Sequence, residues 1–330
     1  MKILMIPIIK KKNYEFRRDG VFTYIKDLST VLKGVGHTVY DGGISTDLNG
    51  LEKLLKLYSD CDIVFTNQLF QKYDNYDIFS PVVRHVHNFN TIRLDSKLLY
   101  ESWYLLEKEI PIFTVNSEYQ RQQFINSGYP FDMSKIFILP NCVDENFYKK
   151  TKAKKIKKSI LYLGRVEKAN FKTLIPLVKA MPKLKEYHLN IVGYIDKEDK
   201  KEVERSIKSK NINFLGEYTE NKKLSIINRH ELGIGVGRSM MEMVLCGLPV
   251  LLFKIGFAGW VTENNVEKLR KDNYTTRDYK EVGENEKIDK IIEEIISPKT
   301  MPRDIAVREF GLNFNIYIYE NLFKLLTKGV

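Results

Sequence analysis

The strongest constraint in this chain is a rhythm. Short apolar runs of strand length alternate with stretches whose apolar residues recur at helical spacing. Ile3 to Ile9 is a nearly unbroken apolar run, as a strand buried on both faces should be. Val21, Tyr24, Ile25, Leu28, Val31 and Leu32 then predict a helix over 21–33, stopped by Gly34 and Gly36. Further strands are predicted over His37–Tyr40, Asp62–Phe65, Val82–Val86, Ile112–Val115 and Ile136–Leu139, with a helix over Leu51–Leu57. Such alternation argues for βαβ units, a parallel sheet and helices on both of its faces.

Seven lysines between Lys149 and Lys158 interrupt the rhythm. It then starts again: strand Ile160–Leu163, helix Phe171–Ala180, strand Leu189–Val192, a helix from Lys200, and strand Asn213–Leu215. Strand Leu232–Ile234, helix Ser239–Cys246 and strand Val250–Phe253 follow. Ile288–Ile296 is amphipathic, Pro298 and Pro302 interrupt, and a helix over Phe314–Leu326 closes the chain. The expectation is an α/β protein with a Rossmann-like domain over 1–150 and a second over 151–312. The helix at 313–330 would cross back to the first.

Composition excludes several classes. The 330 residues are 43% hydrophobic and 29% charged, so disorder is not the main state. No apolar run approaches the 18 or so residues of a membrane span. At the N-terminus the apolar stretch comes first and is short, with three lysines behind it, which reads as a first strand and not a signal peptide. Cys61, Cys142 and Cys246 are odd in number and far apart, so neither a disulfide framework nor a zinc ribbon is expected, and a reducing cytoplasm fits. The net charge is +11, of which residues 1–150 carry +1 and residues 151–330 carry +10. That surface either attracts polyanions (nucleic acid, anionic lipid or nucleotide phosphates) or is simply a solvated lysine-rich face.

In open α/β sheets, ligands bind beyond the carboxyl ends of the strands, so the residues there carry the functional argument. No GxGxxG follows the first strand, and no GxxxxGK[ST] occurs, which disfavours nicotinamide binding and excludes a P-loop ATPase. Gly20 enters a helix, either as a plain helix-entry glycine or as a close approach to a phosphate. His85 and His87 alternate on one strand with no other metal-type ligand beside them, so a cleft histidine or a packed one is the choice. Arg165 and Lys168 follow a buried strand and read either as a diphosphate clamp or as a solvated basic turn. The segment Gly235-Val236-Gly237-Arg238-Ser239-Met240-Met241-Glu242 is the most informative. Its glycines lead into a helix whose N-terminus forms an anion site, Arg238 adds charge, and Glu242 lies one turn on in an otherwise apolar helix. A buried carboxylate needs partners.

Taken in order, these pieces resemble the GT-B fold glycosyltransferases, specifically the large retaining family 4, the group 1 glycosyl transferases. The carrying residues are Asp19-Gly20-Val21, His87, Ile138 to Asp144 with Phe147, and Tyr162-Leu163-Gly164-Arg165. They continue with Ile191-Val192-Gly193, Asn213-Phe214-Leu215-Gly216 and Gly235 through Val250. The resemblance spans almost the whole chain and implies two parallel sheets facing across a cleft. It implies a hexose moved, with retention, from a UDP- or GDP-linked sugar to a glycan or glycolipid hydroxyl, without a metal. His87 would lie beside the transferred sugar. Arg165 and Lys168 would hold the diphosphate, with a register putting Ala169 at the lysine position, or Lys172, as the alternatives. The amide of Gly20 would approach the diphosphate, the amides of Arg238 and Ser239 would hold its oxygens, and Gly237 belongs to the same donor site. Glu242 would hold the ribose.

The family carries a second glutamate eight positions before the one matching Glu242. Here that position is Ile234, and Arg238 at the same loop is the compensating candidate. Tyr14, Phe16, Arg17 and Arg18 are the acceptor candidates in the first loop. The expected location is cytoplasmic, and peripheral contact with an anionic inner membrane face is a compatible addition. The rival reading is a nucleotide-sugar-binding protein that has lost catalysis. Nucleic acid is not an expected partner, because no matching fold motif occurs.

Overall fold

The computed structural model describes residues 1–6, 20–41, 60–66, 82–86, 112–126, 132–166, 170–195, 197–206 and 210–327. They form two compact units, residues 1–142 with 312–330, and residues 143–311.

The first unit is built on a parallel sheet. Its strands are β1 (Lys2–Ile6), β2 (Thr38–Asp41), β3 (Ile63–Thr66), β4 (Val82–Val86), β5 (Ile112–Val115) and β6 (Ile136–Ile138). They lie in the order β2-β1-β3-β4-β5-β6. Among the described residues, helices α1 (Gly20–Gly34), α2 (Glu118–Asn126) and α10 (Leu312–Thr327) belong to this unit. The apolar stripe of α1 meets α10 in one core, where Tyr24, Ile25, Leu28 and Val31 join Leu312, Ile316, Tyr319 and Phe323. The last helix is therefore an integral part of the first unit.

The second unit repeats the plan. Its strands are β7 (Ser159–Leu163), β8 (His188–Val192), β9 (Ile212–Gly216), β10 (Leu232–Ile234), β11 (Val250–Phe253) and β12 (Phe257–Trp260). Their order is β12-β11-β10-β7-β8-β9. All pairings are parallel except β11–β12, an antiparallel edge that the strand pattern does not predict. Its helices are α3 (Phe171–Ala180), α4 (Lys197–Ser206), α5 (Glu220–Arg229), α6 (Arg238–Leu245), α7 (Val266–Lys271), α8 (Glu284–Ile295) and α9 (Arg303–Phe310). One core lies under α6 and α9, and another joins α3 and α8 to the opposite face of the sheet. Both faces are thus covered, as a parallel sheet requires.

The lysine-rich stretch is laid along the second unit. The Thr151 amide donates to Asn228 Oδ1 at 2.7 Å, and the Ile156 amide donates to the Arg229 carbonyl at 2.7 Å. Lys158 continues the path, its amide donating to Glu231 Oε2 at 2.8 Å. Buried Asn228 anchors the segment, since its Nδ2 donates to the Lys149 carbonyl at 3.1 Å. One residue upstream of Lys149, Tyr148 enters the core.

Candidate functional site in the second unit

The second sheet grows in two directions from one pair of strands. The path β7-β8-β9 runs one way and β10-β11 the other, so the strand order reverses between β7 and β10. These two strands pair in parallel, Leu232 with Ile160 and Ile234 with Tyr162. Ligands of open α/β sheets bind beyond the carboxyl ends at such a reversal. Gly164-Arg165 lies beyond β7, and Gly235-Val236-Gly237 beyond β10. Two segments that are 70 residues apart in sequence therefore share one end of the sheet.

The loop between β10 and α6 holds only Gly235, Val236 and Gly237, and its glycines are required. A Cβ on Gly235 would lie 2.8 Å from the Leu163 carbonyl oxygen and 2.9 Å from Met243 Cε. Gly237 caps α6 with φ 57° and ψ −131°, a backbone shape that glycine alone adopts readily. It supplies no capping side chain, so the amides of the first turn of α6 project from the helix end beside the positive pole of its dipole. Arg165 is exposed, and its carbonyl accepts from Asn170 Nδ2 at 2.9 Å. Asn170 Oδ1 in turn accepts from Lys254 Nζ at 3.1 Å, which brings a further cation from the end of β11.

Behind this edge lies a buried charge cluster. Glu242 is flanked by Met240, Met241, Met243, Val244 and Leu245, all buried, and its own side chain is only 3% exposed. Its Oε1 accepts from Arg238 Nε at 3.1 Å, one helical turn away, and from Lys223 Nζ at 3.1 Å. Its Oε2 lies 2.9 Å from the same ammonium. Lys223 also pairs with Glu220 Oε2 at 3.1 Å and sits over the Tyr148 ring, 5.2 Å from its centroid. The Tyr148 hydroxyl donates to that same Glu220 oxygen. Two cations and two carboxylates thus alternate from the mouth of α6 inward to Tyr148.

No curated protein matches the chain. Residues 157–281 match the family model described as glycosyl transferases group 1. That span contains both strand ends, α5 and α6. This is a group 1 glycosyltransferase domain. Solved structures extend the likeness to the whole chain. The Anabaena protein Alr3699/HepE, in complex with UDP and glucose, is 17% identical over 98% of this chain and 99% of that one, with a TM-score of 0.61. AviGT4, a glycosyltransferase of avilamycin A biosynthesis, is 14% identical over 100% and 98%, with a TM-score of 0.68. The sucrose-phosphate synthase of Thermosynechococcus elongatus is 12% identical over the full length of both chains, with a TM-score of 0.65. The fold of the chain is GT-B.

In this glycosyltransferase domain the cluster sets its own titration. Burial pushes the Glu220 carboxyl up, but Lys223, the Tyr148 hydroxyl and Arg238 together outweigh it, and the group is held below its ordinary value. Burial, then the charges of Glu242 and Glu220, push the Tyr148 phenol far up. The same burial, reinforced by Glu242, pushes the Cys246 thiol up to about 12, which makes it an inert core residue.

Of the residues singled out from sequence, the second unit brings Arg165, Gly237, Arg238, Ser239 and Glu242 to the β7–β10 edge. Gly20 is the first residue of α1 in the first unit. Lys168, His87, Tyr14, Phe16, Arg17 and Arg18 lie outside the described residues. Sequence reading missed Glu220 and Lys223, because the first turn of α5 reads as a polar loop, Glu220-Asn221-Lys222-Lys223. Leu224 and Ile227, three apart, are the signal that could have found this helix. Tyr148 and Lys254 carry no local motif.

Proposed function

We propose that the protein moves a hexose from a nucleoside-diphosphate sugar to a hydroxyl of a glycan or glycolipid, with retention and without a metal. The observation that carries the reading is the buried Glu242 one turn inside a glycine-capped helix at the strand-order reversal, with Arg165 and Arg238 at the same edge. In this reading the amides of Arg238 and Ser239 and the guanidinium of Arg165 take the diphosphate oxygens, and Lys168 joins them. Glu242 accepts from the ribose. Fixed cations and a helix end then stabilise the charge that develops as the leaving group departs. The HepE structures hold UDP, in one case with glucose, and a structure of the S. aureus protein TarM holds UDP with α-GlcNAc-glycerol and fondaparinux, which supports a nucleotide-sugar donor here.

The reaction breaks the bond from the anomeric carbon to the diphosphate and forms one from that carbon to the acceptor oxygen on the same face. The acceptor proton passes to the departing phosphate oxygen. Gly20 and His87 are assigned to the donor from the first unit, and Tyr14, Phe16, Arg17 and Arg18 to the acceptor. The test is release of nucleoside diphosphate from a panel of UDP-, GDP- and ADP-sugars in the presence of a chelator. One donor series is expected to turn over, even as slow hydrolysis. Turnover of none, or turnover only after a divalent cation is restored, contradicts the reading.

A further inference from the structure

We infer that Lys223 is a positioning residue that sets the Glu242 carboxylate for discrimination of the ribose hydroxyls of the donor. The inference rests on the donor-site reading above.

Three observations lead to it. First, one ammonium bridges two carboxylates, reaching Glu242 Oε1 at 3.1 Å, Glu242 Oε2 at 2.9 Å and Glu220 Oε2 at 3.1 Å. One of these contacts, to Glu242 Oε1, is a hydrogen bond, and the other two are ion pairs, so a single cation ties both carboxylates together. Second, the ammonium is itself located by buried groups. The Tyr148 ring lies beneath it, the Tyr148 hydroxyl fixes Glu220, and the Lys223 side chain is only 15% exposed. Third, the contacts of Glu242 are uneven. Arg238 Nε and Lys223 Nζ both donate to Oε1, whereas Oε2 is held only by the ion pair with Lys223 at 2.9 Å. The acceptor capacity left to a ligand therefore lies on Oε2, and the Lys223 ion pair holds that oxygen in place.

A sugar hydroxyl donating to that oxygen makes a charge-assisted hydrogen bond, and an analogue lacking the hydroxyl leaves a desolvated carboxylate direction unpaired. Discrimination between the two ligands therefore depends on how rigidly the carboxylate is held. With Lys223 removed, Arg238 alone holds one oxygen and the carboxylate can turn about that single contact. Affinity then falls for the hydroxyl-bearing ligand, while the deoxy ligand, which never used the contact, is little affected.

The experiment is calorimetric titration of the full chain with UDP, GDP and ADP and with their 2′-deoxy and 3′-deoxy counterparts. It uses the wild type, Lys223→Met and Lys223→Arg, with folding checked by circular dichroism. The wild type is expected to bind one ribonucleotide about tenfold or more tightly than at least one deoxy counterpart, the effect of a hydrogen bond to a charged group. Lys223→Met should lose that ratio while keeping the deoxy affinity within about threefold of the wild type. Lys223→Arg, which retains the cation, should restore much of it, and this variant carries the test if Lys223→Met fails to fold. The inference is overturned if Lys223→Met discriminates like the wild type, if it weakens ribo and deoxy forms equally, or if Lys223→Arg discriminates no better than Lys223→Met. A wild type that binds without discrimination overturns it too. A wild type that binds none of the nucleotides overturns the donor-site reading instead.

Discussion

Ile234 and Glu242 stand eight residues apart, yet only Glu242 lies in the charge cluster beside α6. Glu242 sits in α6 between Arg238 and Lys223, whereas Ile234 is the last residue of β10 and packs among Tyr162, Leu174, Ile191 and Leu251. The cause is the three-residue loop between strand and helix. Counting back eight positions from Glu242 crosses that loop and lands inside the strand, where the side chain faces the core.

Substituting Ile234→Glu therefore places a carboxylate in an apolar core and does not recreate a sugar contact. An isolated ion buried without a partner costs several kcal/mol, so the thermal midpoint should fall by about 6 °C or more, with no gain in donor turnover. A variant of wild-type stability with altered donor choice would contradict this placement.

The cluster also predicts a pH response. The Glu220 carboxyl titrates below its ordinary value of 4.5 in the folded protein, so the unfolded chain binds more protons between the two values. Its stabilisation is fully present above about pH 4.5 and is lost as the pH falls through the folded value. Comparing urea midpoints of wild type and Glu220→Gln from pH 7 to pH 3 isolates the effect. The difference between them should shrink on acidification, and a constant difference would contradict it.

In the first unit, the Tyr24 hydroxyl donates to the Tyr319 hydroxyl at 3.0 Å, and Tyr319 donates to the Pro140 carbonyl at 2.7 Å. Both rings are fully buried, so this relay ties α1 and α10 to the segment after β6. Tyr319→Phe leaves a buried hydroxyl and a carbonyl short of a partner and should cost about 1–3 kcal/mol. The thermal midpoint should drop by roughly 2–12 °C at about 2–4 °C per kcal/mol. An unchanged midpoint would show that the relay contributes nothing.

Much of the fold was legible because period and burial coincide. The strands at 82–86, 112–115, 232–234 and 250–253 and the helix at 171–180 follow their apolar patterns to the residue. Helix α5 was not legible, since its polar first turn carries the cluster and its only buried residues are Ile227 and Asn228. Helices α7 and α9 and the edge strand β12 are short, and edge pairing leaves little periodic signal. For the site, Glu242 was legible as a lone charge in an apolar helix. Its partner Lys223 was not, because the contact is set by how α5 packs beside α6. Pro302 reads as an interruption and is in fact the residue that precedes α9, a place where proline costs little.

The proposed function requires the α6 mouth of the second unit to bind a nucleoside diphosphate through Glu242. The most direct measurement is calorimetric titration of UDP, GDP and ADP into wild type and Glu242→Gln under one buffer with a chelator present. One nucleotide should bind the wild type at micromolar affinity and the variant about tenfold or more weakly, with the fold retained. Equal binding by both proteins, or no binding of any nucleotide to the wild type, would contradict it.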